Sequence, residues 1–100
     1  MQFSVKSKLD IQIRVSKEYW KIIIEIKHPA IAKYDTEIKE TLRVPDEIRK
    51  SRIDPDIFLY YKKVAEKYIC VVARHEDKQG FVITAYITNK IKEGELVWKK

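Results

Sequence analysis

Three side chains are of types that can exchange protons or attack near neutral pH: His28, His75 and the lone Cys70. His28 directly precedes Pro29 and follows the isoleucine-rich run KIIIEI. Proline cannot donate a backbone hydrogen bond, and it pushes the residue before it out of the helical region. An element through residues 16–27 therefore ends at His28. Its imidazole then sits at a rim, where it either caps carbonyls or overlooks a site. His75 stands beside Glu76 and Asp77 and reads as a solvated turn residue, with Arg74 next to it able to face a site. In the apolar run GFVITAYIT, alternation sends Thr84 and Tyr86 to one face and Ile83, Ala85 and Ile87 to the other. Two polar side chains there either bond within a covered sheet or open onto a functional face. Arg49, Lys50 and Arg52 form a basic knot, either a solvated turn or a phosphate clamp. Cys70, among Ile69, Val71 and Val72, is expected to be a buried core thiol. The sequence has no zinc-ligand cluster, HExxH pair, glycine-rich phosphate loop or nucleophile elbow, so no metal or cofactor is expected.

These residues need elements to hold them. LDIQIRV (9–15) alternates strictly and reads as a half-buried strand. Ser16 reads as a helix N-cap with Glu18 in the first turn. Tyr19, Ile22, Ile23 and Ile26 form a helical stripe, although the β-branched IIIEI also suits a strand. The cap and the length favour a helix over 17–27. Ile31, Tyr34, Ile38 and Leu42 recur at helical spacing, so a second helix is expected near 36–43, stopped by Pro45. VPDEIRKSRIDPD reads as a connection. The C-terminal half is β: IFLYYKKV, KYICVVARHE, GFVITAYIT and ELVWKK, with the HEDKQG turn between the central pair. Trp20 and Trp98 read as core anchors, Tyr60 and Tyr61 as core and edge packing, Lys99 and Lys100 as a frayed tail. The expectation is one α+β domain over 1–100. One or two N-terminal helices pack on an antiparallel sheet of about four strands, in two layers.

One hundred residues with 45% hydrophobic content, 2 Gly and 3 Pro suit a single packed domain. No apolar run is long enough to span a membrane, and a lone cysteine suits a reducing compartment, so a cytoplasmic location is expected. The formal net charge of +6 suits a polyanionic partner such as RNA, DNA or an acidic protein.

The ordered series KHP (27–29), TLRVPDEIRKSRIDPDIFLYY (41–61) and ICVVARHEDKQGFVITAYITNKIKEGELVW (69–98) resembles a family of small prokaryotic and phage-associated domains. These belong to the barnase–EndoU–colicin–RelE (BECR) nuclease type, and the resemblance covers residues 19–98. It implies N-terminal helices on a sheet of about four strands. It also implies metal-independent ribonuclease activity, often that of a toxin, and hence an RNA partner and an acidic antitoxin or immunity protein. By position it assigns the histidine to His28, the sheet pair to Thr84 and Tyr86, and the basic–hydroxyl group to Arg49, Ser51 and Arg52. Cutting RNA without metal needs a base for the 2′-hydroxyl, an acid for the leaving 5′-oxygen and positive charge on the crowded phosphorane. His28 would move the proton, and Arg52 or Arg74 would clamp the phosphate with help from Lys27. Thr84 would donate to a phosphate oxygen, and Tyr61 or Tyr86 would stack on a base. The alternative is a non-catalytic RNA-binding or protein-interaction module.

Overall fold

Alternation starts earlier than LDIQIRV. The computed structural model describes residues 2–91 and 94–100. In it Phe3–Lys6 is a strand, β1, with Phe3 and Val5 buried and Ser4 and Lys6 exposed. The second strand, β2, is Gln12–Val15, antiparallel to the first. Leu9 and Ile11 belong to the turn between them. There Ser7 Oγ accepts both their amides at 3.3 Å, and Asp10 takes a left-handed φ of 63°.

Ser16 caps α1, Lys17–Ile22, its hydroxyl accepting the Tyr19 amide at 3.1 Å. The helix then widens. Ile23–Lys27 is a π turn, closed by the His28 amide on the Ile23 carbonyl at 2.8 Å. A wider turn breaks the 3.6-residue period, so the expected stripe splits. Ile23 is buried, whereas Ile22 and Ile26 face solvent. Pro29–Tyr34 follows as 3₁₀ turns, then α2, Asp35–Arg43.

Glu47–Lys50, inside the expected connection, is a third strand, β3. Its one buried residue, Ile48, carries no periodic signal. It is a strand because chains pair on both sides of it: β4, Ile57–Val64, and β7, Glu95–Lys99. The long central strands are β5, Lys67–Glu76, and β6, Gln79–Thr88. The order across the sheet is β1-β2-β6-β5-β4-β3-β7. The fold is α+β, but the expected antiparallel sheet of about four strands is instead a seven-stranded mixed sheet, in which β2 joins β6 in parallel. The tail is tied down too: Lys99 lies opposite Glu47, and the Lys100 amide donates to Asp46.

The helical segments pack on one face, where Ile13, Ile31, Ile38, Leu42, Val71 and Val82 are all fully buried. Among the described residues the opposite face carries a smaller buried cluster of Leu59, Tyr61 and Cys70. Among the described residues no helix is long and apolar enough to cross a membrane.

His75 is not a turn residue. It lies in β5 opposite Gly80, with Asp77 at the turn holding φ 58°. Its ring stacks on Phe58 at 4.0 Å and 11°. Its Nε2 is 2.9 Å from Tyr60 Oη, which donates to Ser7 Oγ at 2.9 Å. This chain links the β1–β2 turn to the centre of the sheet. Burial pushes Tyr60 up to about 12. Burial also pushes His75 from 6.5 down to about 4, against an opposing pull from Asp56. The folded chain therefore favours neutral His75. Its contribution is full above pH 6.5 and is lost as pH falls toward about 4, because the unfolded chain takes up the proton first. Thermal melts across that window should show a larger loss of Tm for the wild type than for His75→Gln. Parallel losses would remove His75 as the source.

Candidate functional site

The candidate site begins with one extra residue in β6. Val72 of β5 pairs with Thr84 and Ala73 pairs with Val82, which leaves Ile83 as a bulge. Strict alternation from the core residue Val82 would bury Thr84 under the helices. The bulge resets the count, so Thr84 and Tyr86 face the open side beside Val72 and Cys70, while Ala85 stays in the core.

The bulge also fixes the helical end. The parallel partner β2 covers β6 only as far as Phe81, so among the described residues the rest of that edge has no strand beside it. Tyr19 Oη donates to the Ile83 carbonyl at 2.7 Å. Lys27 Nζ donates to Tyr19 Oη at 2.9 Å and to the same carbonyl at 3.4 Å. With Lys27 anchored there, His28 turns over the edge of the sheet. Its ring centroid lies 5.5 Å from that of Tyr86.

A cleft of about 820 Å³ opens on this face. Strand order sets the order of its lining. His28, Thr84 and Tyr86 stand on the β6 side. Val72 of β5 and Ile57 and Leu59 of β4 make an apolar floor. Ser51, Arg52 and Ile53, just after β3, stand on the far side with Gly94. The loop carrying that side is pinned at several points. Ser51 Oγ accepts the amides of Ile53 at 3.2 Å and Asp54 at 3.3 Å, and the Ser51 amide donates to Ile57 at 2.9 Å. Asp54 accepts the Asp56 amide at 3.0 Å and Arg74 Nη1 at 3.1 Å.

Gly94 holds two guanidinium groups. Its carbonyl accepts from Arg49 at 3.2 Å and from Arg52 at 3.4 Å. Its φ is +88°, and a Cβ there would lie 2.9 Å from both the Arg49 Cβ and the Lys50 carbonyl oxygen. Glycine is required on both counts.

The electrostatics separate the arginines. Arg49 pairs with Glu47 at 2.8 Å, and Arg74 with Asp54 at 3.1 Å. Among the described residues Arg52 makes no ion pair. Thr84 Oγ1 is buried and has no hydrogen-bond partner among them. A cation without a counter-ion and a hydroxyl without a partner both favour an anion.

Of the residues singled out from sequence, His28, Ser51, Arg52, Thr84 and Tyr86 come together in this cleft. Lys27, Arg49, Tyr61 and Arg74 do not line it. Lys27 ties the helix end to the bulge, Arg49 joins Glu47 and Gly94, and Arg74 holds the Asp54 loop. Tyr61 is on the same face but only 1% exposed, packed with Leu59 and Cys70, so its ring offers no surface to a base. The apolar floor, Gly94, Asp54 and Tyr19 escaped the sequence reading. The IDPD turn and one of only two glycines were the available signals. Comparison with protein-family models, curated proteins and solved structures finds no match to this chain. The chemistry of the cleft therefore rests on its own geometry.

Asp54→Ala removes the anchor between the loop and β5. The Ser51 and Ile57 amides should then exchange faster by about tenfold, as loss of a charge-assisted bond implies, with β6 amides unchanged. Unaltered exchange at both would show that the loop stands without Asp54.

Proposed function

We propose that this cleft binds RNA and cuts it without a metal, through attack of a 2′-hydroxyl on the adjacent phosphate. One observation carries the reading: an imidazole, an arginine without a carboxylate partner among the described residues and an unpartnered threonine hydroxyl line a single open cleft. The resemblance to BECR-type nucleases points to the same side chains. The +6 charge supports a polyanionic ligand, and an acidic inhibitor protein would suit the same surface.

The roles follow from the chemistry. Arg52 and Thr84 hold the non-bridging phosphate oxygens and offset the charge that builds on the phosphorane. His28, the one histidine lining the cleft, takes the proton of the 2′-hydroxyl as the O2′–P bond forms. The P–O5′ bond breaks, and the departing oxygen takes a proton from solvent. The products are a 2′,3′-cyclic phosphate and a 5′-hydroxyl. Tyr86, beside the imidazole, flanks a base.

The apolar floor favours a second reading, in which the cleft binds RNA bases without cutting. Incubation with total RNA in excess chelator, from about pH 5 to about pH 9, separates the two. Cleavage should leave 2′,3′-cyclic ends, and His28→Ala should slow it by ~10²–10⁴. RNA that stays intact over the whole range removes the nuclease reading. Salt-sensitive binding with a log–log slope of about −0.7 per phosphate, without cutting, selects the second.

A further inference from the structure

Ile53 is 96% exposed, more than any other large apolar side chain among the described residues. Single exposed apolar residues are common and need no explanation by themselves. Three features set this one apart. It lines the candidate cleft. Its own amide is bonded to Ser51 Oγ, and the next residue, Asp54, is tied to Arg74, so the loop cannot easily lower the side chain onto Ile57. Its neighbour is Arg52, the cation of the cleft without a carboxylate partner among the described residues.

We propose that Ile53 is a wedge that unstacks adjacent bases of single-stranded RNA while Arg52 holds the phosphate between them. This rests on the RNA reading of the cleft and specifies its substrate class as unpaired RNA. Apolar side chains inserted at base steps separate bases at a cost of a few kcal/mol per step, and that cost is lowest where the bases are unpaired. A displaced base finds an apolar floor in Ile57, Leu59 and Val72 and an aromatic neighbour in Tyr86. Paired A-form RNA keeps its bases stacked and in register, so it gains nothing from this floor.

A short 2′-O-methyl oligonucleotide carrying one 2-aminopurine tests the wedge, because it cannot be cut by 2′-hydroxyl attack. The wild type should bind it and raise its emission, and should bind the matching duplex at least about tenfold more weakly. Ile53→Ser, a surface change that leaves the core intact, should bind about tenfold more weakly with the same salt slope, and at its own saturation should lose most of the emission rise. Ile53→Leu should keep the rise. An equal rise for Ile53→Ser at saturation overturns the wedge and leaves RNA binding standing. A wild type that does not bind the oligonucleotide overturns both.

Discussion

A single carbonyl, that of Ile83, sets the geometry on which the rest depends. It stands where β6 carries one residue more than β5, on an edge that β2 does not reach. A carbonyl left without a partner in a partly buried position costs free energy. Tyr19 and Lys27 satisfy it, and in doing so they dock the end of the helical segment against the sheet. The same bulge turns Thr84 and Tyr86 outward. One local irregularity thus places residues from distant parts of the chain on a common surface. Without it, two-residue alternation from Val82 would turn Thr84 toward the aliphatic core.

Among the described residues, three basic side chains near the cleft serve as ties, and Arg52, which lines it, has no ion pair. Arg49 is bound by Glu47 and by Gly94. Arg74 holds Asp54, and through it the loop of residues 51–57. Lys27 is committed to the bulge. Partly exposed pairs of this kind add little to global stability, and their effect here is positional. Arg52 leans on the neutral Gly94 carbonyl and has no ion pair among the described residues. Net charge alone could not have separated these roles.

Coverage of one sheet face explains why a cleft exists at all. α1, the turns after it and α2 all pack on the face that holds Ile13, Val71 and Val82. Among the described residues the other face holds the smaller Leu59–Tyr61–Cys70 cluster, with Gly94 near its rim. An exposed hollow with an apolar floor results between the bulge of β6 and the pinned loop after β3. On the covered side the Ser7–Tyr60–His75 chain joins polar groups of the β1–β2 turn and the sheet, with the His75 ring stacked on Phe58.

Much of this was legible in the residues alone. The Ser16 cap, the break at His28–Pro29 and the two long central strands are local events, set by capping chemistry, proline geometry and β-branched runs. The polar pair Thr84 and Tyr86 also stood out, because two-residue alternation assigns them one face. What escaped was everything decided by partners. The short strand β3 carries a single apolar residue and exists only because β4 and β7 pair with it. The parallel join of β2 to β6 leaves no mark in either segment. The bulge at Ile83 lies in an apolar run whose composition reads the same with or without it. His75 looked solvated beside two acids, yet lies stacked on Phe58 because β5 runs past it before turning. Local periodicity records which side of an element is apolar. Register, strand neighbours and the pairing of charges are long-range choices, and only the assembled sheet makes them.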